Sequence, residues 1–353
     1  MAADWTATSS EWKHALTPRE GRPGWLVEFA RFTRAHEWHG GKLPLLLGLV
    51  LALAFSQPER LHFTLFIGYY GVVTLFLACA YMLNNVSDLN QDRQAKKVLA
   101  LESWSSGLKL FVALAVGLVG VLLGALVFPA SAVACLAGCY LLAWIYSFPP
   151  RLKESYVFGP LVATVGQFVA PAAVVLIAWG EIDAAATAYV AVLFLYGLRM
   201  ILVHQIIDLE NDTRTGTRTT ATELGRPAAI RLLRVAFFLE VLASALLLAT
   251  VVWNGLSPVL LLALLIPLAS LLVRIAWGEP LRLDTYAYIP LADLHESLLP
   301  LLLAAGLALK TGGVLWWPFP LLLVLFWKRH FIRLLPPWYM LRGLWHGRNE
   351  PIP

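Results

Sequence analysis

Two stretches decide the reading of this chain: Asn84-Asn85-Val86-Ser87-Asp88-Leu89-Asn90-Gln91-Asp92, and His204-Gln205-Ile206-Ile207-Asp208-Leu209-Glu210-Asn211-Asp212. Each sits where a long apolar run meets polar sequence. On a helix, Asn84, Asp88 and Asp92 fall at i, i+4 and i+8 and share one face. His204, Asp208 and Asp212 have the same spacing. Like charges at i, i+4 repel, and a carboxylate within a bilayer costs ~2.5–3.5 kcal/mol or more. A chain with 22 acidic residues in 353 needs compensation for such stacking. A divalent cation supplies it. Hard oxygen ligands suit magnesium, which shares itself readily with phosphate.

The apolar runs around these motifs set the fold class. The chain is 59% hydrophobic and 14% charged, against about 25% charged in soluble domains. Its apolar runs are of helical membrane-span length and lack the alternation of a barrel strand. The expectation is an all-α integral membrane protein of nine or ten spans around a central cavity opening at the cytoplasmic face. The candidate spans are 43–57, 62–84, 108–128, 131–147, 158–178, 184–207, 229–253, 256–277, 291–309 and 314–328. Residues 43–328 read as one transmembrane domain. Residues 1–42 and 329–353 read as cytoplasmic or interfacial segments.

Charge orients the bundle. Of the 27 Lys and Arg, only Arg60 and Lys310 fall in the loops of one side. The opposite loops carry Arg93, Lys96, Lys97, Arg151, Lys153, Arg214 and Arg218, among others. The positive-inside rule makes that side cytoplasmic, in the plasma (inner) membrane, with both termini and both acidic motifs facing in. The net charge of +5 follows from this asymmetry and calls for no nucleic acid. Residues 1–42 lack the pattern of a cleavable signal peptide. Trp25, Leu26, Phe29 and Phe32, with Arg31 and Arg34 opposite, suit a helix on the membrane surface. Trp338, Tyr339, Arg342 and Trp345 suit the same at the other terminus. Cys79, Cys135 and Cys139 lie in apolar spans and read as packing; two thiols on one face make a poor zinc site.

Between the motifs stands Tyr146-Ser147-Phe148-Pro149-Pro150-Arg151-Leu152-Lys153. Pro-Pro halts the preceding helix, and Arg151 and Lys153 then project on the motif side. Cations there can neutralise a diphosphate leaving group; the plain alternative is a positive-inside loop anchored by proline. A coarse echo also runs through the chain, with a long helix, an acidic end and a basic loop recurring after about 120 residues.

The motif pair with Tyr-Ser-x-Pro-Pro-Arg-Leu-Lys resembles the UbiA superfamily of intramembrane prenyltransferases, over roughly residues 40–310. The resemblance implies about nine helices around a cavity and a magnesium-held isoprenyl diphosphate, with two ions bridging the two motifs. It implies transfer of the prenyl chain to a lipophilic, often aromatic, acceptor with release of pyrophosphate. Residue by residue, Asn84, Asp88, Asp92, Asp208 and Asp212 match the metal-binding set. Lys97, or its neighbour Lys96, matches the basic residue after the first motif. Arg151 and Lys153 match the diphosphate-neutralising pair, and Tyr146 a cavity wall. Asn85 stands where Asp is common. The Arg-Pro that follows the first motif in many members is missing; Lys97-Val-Leu-Ala-Leu-Glu-Ser runs instead to Trp104-Ser-Ser-Gly107.

Further candidates rest on polar residues within apolar runs. His204 and Gln205, one turn from Asp208, are expected to contact the acceptor or act as base. Arg199 is expected to bind substrate or to lock the bundle onto an acid, and Arg218 to reach the donor from the loop after the second motif. Gln167, Glu240, His295 and Glu296 are either acceptor contacts or interhelical glue. Asn85-Val86-Ser87 formally matches a glycosylation sequon, which a cytoplasmic helix end makes irrelevant. A terpene cyclase of the same fold, a phosphoribosyltransferase acting on polyprenyl phosphate and a secondary transporter are the rival readings. Retention of Asp88 disfavours the first, and the second Asp-x-x-x-Asp disfavours the second. Acids at one membrane face rather than the midplane disfavour transport.

Overall fold

A computed structural model describes residues 24–94, 100–276 and 289–334. Within them all regular structure is helical. The helices are α1 (Trp25–Phe32), α2 (Ala35–Trp38), α3 (Lys42–Ser56), α4 (Phe63–Gln94), α5 (Ser106–Val127), α6 (Ala130–Ser147), α7 (Phe158–Thr164), α8 (Ala170–Trp179), α9 (Ala184–Ile207), α10 (Leu209–Thr215), α11 (Thr220–Leu224), α12 (Arg226–Trp253), α13 (Leu265–Ala276), α14 (Ile289–Asp293), α15 (Leu299–Lys310) and α16 (Pro318–Leu334).

Helix α3 is the central post. Every residue from Leu43 to Phe55 is buried, as expected of a helix apolar around its whole circumference. Its neighbours are α4, α8, α9 and α15. Glycine permits the closest of these approaches. A Cβ on Gly48 would lie 2.0 Å from the Tyr189 hydroxyl, which donates to the Leu45 carbonyl at 2.9 Å. Small residues set helix contacts in lipid because no hydrophobic drive separates protein from solvent there. The α4–α5 interface repeats the device, with Gly120 of α5 facing Tyr140 and Leu75.

Among the described residues, seven helical stretches are long and apolar enough to cross a membrane: Phe63–Arg93, Ser106–Val127, Ala130–Ser147, Phe158–Trp179, Ala184–Ile207, Arg226–Trp253 and Leu291–Lys310. Lys42–Ser56, Pro258–Ala269 and Pro318–Trp327 are shorter apolar helices. All ten coincide with apolar runs expected from the sequence, although three fall short of a full span by length. The outward faces of α5 and α12 expose Phe111, Leu118, Leu126, Phe238 and Leu246. So large an apolar surface belongs against lipid tails.

Three runs expected as plain helices are interrupted. Stretch 158–178 contains a π-helical turn at Val165–Val169, and 291–309 contains another at Leu294–Leu298. Stretch 256–277 begins as a 3₁₀ helix, Pro258–Leu264. π turns frequently mark functional positions, and these two carry Gln167, His295 and Glu296. Helix α16 runs past the expected 328 and kinks at Phe326. The interfacial candidates Trp338, Tyr339, Arg342 and Trp345 lie outside the described residues.

The loops segregate as the charge pattern required. Lys310 donates to the carbonyls of Phe55 and Asn254. Arg60 donates to the Trp179 carbonyl and pairs with Glu181 at 3.6 Å. Both cations thus tie loops at the C-terminal end of α3, while Lys42, Arg151 and Lys153 lie at the other.

Gly48→Ala should overpack the post, costing about 1–3 kcal/mol and lowering the melting temperature in detergent. Gly107→Ala is the control, since nothing lies within 4 Å of its added Cβ and a helical alanine is at least as stable as glycine. Equal melting temperatures for the two variants would remove the close approach from the account.

Candidate functional site

The first motif is built by α4, which does not stop at residue 84 but continues to Gln94. Asn84, Asp88 and Asp92 therefore do share one helix face. Opposite them stands the turn after α6. Phe148-Pro149-Pro150 ends that helix because proline lacks an N–H and clashes with the preceding turn. Arg151 then takes a left-handed conformation (φ 53°, ψ 59°), unfavourable for a side chain with a Cβ and characteristic of functional sites. Its amide donates to the Phe148 carbonyl at 2.7 Å, and its carbonyl accepts from Glu154 at 3.0 Å. This reversal turns Arg151 and Lys153 together toward α4.

Lys153 is the centre of the resulting contacts. Its ammonium donates to Asn84 Oδ1 at 3.0 Å and Ser87 Oγ at 2.8 Å, and also to Asp88 Oδ1. Arg151 reaches the same Asp88 oxygen at 3.3 Å and the Ser87 carbonyl at 3.4 Å, with Glu154 on its Nε at 2.8 Å. Burial lowers the Lys153 pKa from the ordinary lysine value, while Asp88 pulls the other way. Tyr146 is half-buried within electrostatic range of Asp88. Ser87 is a site residue that the sequence offered only as part of a discarded sequon. Asn85 faces elsewhere: its Nδ2 donates to the Phe32 carbonyl at 2.7 Å, anchoring α1 to the motif helix. An ionised Asp has no proton to donate there.

The second motif departs from a continuous helix. Helix α9 ends at Ile207, and Asp208 (φ −86°, ψ 1°) caps it and opens α10. The Asp208 amide still donates to the His204 carbonyl at 2.9 Å, and the Asp212 amide to the Asp208 carbonyl at 2.8 Å. The helical-face relation of His204, Asp208 and Asp212 is thus bent at its middle member. His204 and Asp208 are exposed and Asp212 half-buried. Gln205 Oε1 is buried with no hydrogen-bond partner. Lys96 and Lys97 lie outside the described residues.

Two expected substrate contacts have acidic partners within the chain. Arg199 lies roughly two and a half turns before Asp208, fully buried, and holds Glu240 through both Nε and Nη2. Glu240 also meets His295 Nδ1 at 3.0 Å, and His295 Nε2 lies 2.9 Å from Ser244 Oγ. Tyr196 donates to Glu296. This network joins α9 and α12 to the second π turn, the interhelical role named above as the alternative for Arg199, Glu240, His295 and Glu296. Arg218 is exposed and donates to Glu223 at 2.7 Å.

The same end of the bundle holds Lys42 and Tyr81, which the sequence did not single out. Lys42, at the start of α3, donates to the Tyr81 hydroxyl and to Gln167 Oε1. Its ammonium stands 4.7 Å from the Tyr81 ring centre and 5.7 Å from that of Phe168. Helix pairing three residues apart, Arg34 with Glu37, was the available signal for the arm that precedes it. Among the described residues no three His, Cys, Asp or Glu side chains gather closely enough to hold a metal by themselves. Clefts of about 250 and 320 Å³ lie at the opposite end, around Glu181 and Asp183 and around Arg60 and His62, away from both motifs.

The UbiA prenyltransferase family model matches residues 43–285. The chain belongs to the UbiA prenyltransferase family. It is therefore a multi-pass membrane prenyltransferase. The fold agrees with solved members of the family. A UbiA homologue from Archaeoglobus fulgidus bound to DMAPP and Mg2+ is 15% identical with a TM-score of 0.55, covering 80% of this chain and 99% of that one. A digeranylgeranylglyceryl phosphate synthase is 14% identical with a TM-score of 0.57, covering 81% and 99%. The apo homologue from Aeropyrum pernix K1 is 19% identical with a TM-score of 0.54, covering 76% and 98%. No curated protein matches the sequence.

Asp88→Asn retains the shape of the side chain but loses the charge that holds Lys153 and Arg151. Prenyl transfer should fall at least 100-fold, about 2.7 kcal/mol of barrier, with a melting temperature near that of the parent. Lys153→Met should cost tenfold or more. Initial rates on purified variants check both, and a near-parental rate in either removes that residue from the site.

Proposed function

We propose that this chain transfers an isoprenyl group from an isoprenyl diphosphate to a lipophilic or aromatic acceptor, with magnesium, releasing pyrophosphate. The observation that carries the proposal is the convergence of Asn84, Ser87 and Asp88 oxygens on the Lys153 ammonium, in a chain of the UbiA family. A corner that already holds one positive charge suits a cation-bound diphosphate. The A. fulgidus homologue's complexes with DMAPP and GPP, each with Mg2+, support the same donor class.

The donor set fits magnesium. It is all oxygen, and magnesium binds through one or two carboxylates plus substrate phosphate rather than through a closed protein cage. Asn84, Asp88 and Asp92 from one side, and Asp208 and Asp212 from the other, are the residues that would hold it, as two ions. When bound, magnesium neutralises the diphosphate and draws electron density from the leaving oxygen. Arg151 and Lys153 donate to diphosphate oxygens and stabilise the charge that grows as the allylic C–O bond breaks. The bonding pair leaves with pyrophosphate. The acceptor's electron pair forms the new bond to the allylic carbon, and the acceptor then loses a proton. His204, exposed one turn from Asp208, is placed to receive that proton, with Gln205 beside it for the acceptor. Tyr146 and Tyr81 wall the allylic cation from water. Two or all three of the shorter apolar helices complete nine or ten spans, and the mouth faces the cytoplasm of the plasma membrane.

Purified protein should release pyrophosphate from geranyl, farnesyl or geranylgeranyl diphosphate with a panel of aromatic and lipid acceptors, and excess chelator should stop it. Release that persists unchanged in chelator would remove the metal. Topology has its own test. Single cysteines in the 101–105 and 216–219 loops of a cysteine-free variant should resist an impermeant thiol reagent in intact cells and react after lysis. Labelling from outside would invert the orientation.

A further inference from the structure

The arm that precedes α3 lies outside the matched region 43–285, yet it is built into the site. Phe32 and Trp38 are buried. Asn85 of the first motif holds the Phe32 carbonyl, Glu28 accepts from the Leu101 amide at 2.8 Å, and the Trp38 indole donates to the Thr33 carbonyl at 2.7 Å. Between α1 and α2 the chain reverses at Arg34, which adopts a left-handed conformation (φ 50°, ψ 37°). A residue with a Cβ is held there only when its surroundings over-determine it.

That reversal aims Arg34 at the mouth. Its guanidinium donates from Nε to Glu37 Oε1 at 2.6 Å and stands 5.3 Å from the centre of the Tyr81 ring. Asp92 of the first motif lies within its electrostatic range. His204, which neighbours Asp208 of the second motif, and Tyr146 also lie within its electrostatic range. One arginine therefore stands beside the first-motif helix, against Tyr81, and within electrostatic range of a residue next to the second motif. Its side chain is 35% exposed, so an incoming anion can reach it. Guanidinium binds phosphate and carboxylate with the same two-pronged geometry.

We propose that Arg34 is a diphosphate-binding residue of this enzyme, and that Glu37 occupies its guanidinium until the donor displaces it. The proposal rests on the donor chemistry argued above. Arg34 lets go of one carboxylate and takes up phosphate oxygens; no covalent bond changes. Glu37 is then a positioning residue that both competes for Arg34 and repels the anionic donor. A purely structural pair behaves differently. If the ion pair only fastens the arm, breaking it from either side has the same effect on the site.

The test is equilibrium binding of farnesyl thiolodiphosphate and of inorganic pyrophosphate, each with magnesium, to the full-length protein in detergent. The variants are Arg34→Gln, Arg34→Lys and Glu37→Gln, with melting temperatures measured alongside. Arg34→Gln should weaken both probes tenfold or more, Arg34→Lys should weaken them less, and Glu37→Gln should tighten them severalfold. Weakening by both Arg34→Gln and Glu37→Gln, or no change with Arg34→Gln, would overturn the proposal and leave the pair a fastening. Wild-type protein that binds neither probe would overturn the donor reading and this inference together. Wild-type binding that Asp88→Asn abolishes but Arg34→Gln spares would overturn this inference alone.

Discussion

The Lys153 ammonium, gripped at once by Asn84, Ser87 and Asp88, is the interaction on which the site depends. Carboxylates at the rim of a bilayer are costly when uncompensated. Here the compensation is built into the chain. A proline pair stops α6, a left-handed Arg151 reverses the backbone, and two cations swing onto the motif helix. Arg34 on Glu37 and Arg218 on Glu223 follow the same pattern. Arg151, Lys153, Arg34 and Arg218 thus rest on carboxylates, and each such pair can be exchanged for a phosphate without burying a bare charge. Exchange is cheap because the pairs sit at a partly wet mouth, where an ion pair contributes little net stability.

A second ionic network works the other way. Arg199, Glu240 and His295 are fully buried, where truncating one partner strands the other and costs several kcal/mol. Such a network fixes helices rather than exchanging ligands. It joins α9 to α12 and to the π turn at Leu294–Leu298, so it sets the direction in which α9 delivers His204 and Asp208. The contrast between exchangeable pairs at the rim and a locked network within the bundle lets one scaffold stay rigid around the proposed diphosphate site.

Much of this was legible in the sequence. Apolar run length located all ten apolar helices, charge sorted the loops into two ends, and helical spacing put Asn84, Asp88 and Asp92 on one face. The Pro-Pro segment disclosed Arg151 and Lys153. Hydropathy could not show that α3 is a protein-enclosed post while α5 faces lipid, because leucine serves both surroundings equally. It could not show the π turns, which depend on one extra residue within a helix. The spacing of the second motif suggested a straight helix, but Asp208 ends one helix and begins another. The partners of Arg199 and Arg218, Glu240 and Glu223, could be identified only in three dimensions. Arg34 was read as one more charge on a surface helix. Its role follows from a backbone reversal that no local pattern announces.

The central claim is that the donor's diphosphate takes over cations which the site otherwise keeps on its own carboxylates. The direct measurement is an experimental structure with magnesium and a farnesyl thiolodiphosphate, set beside one without them. The account predicts that the Lys153 ammonium and the Arg151 guanidinium leave Asp88 for diphosphate oxygens, and that Asp88 turns to magnesium. A bound analogue with Lys153 still on Asn84, Ser87 and Asp88, and the diphosphate held elsewhere in the bundle, would contradict it.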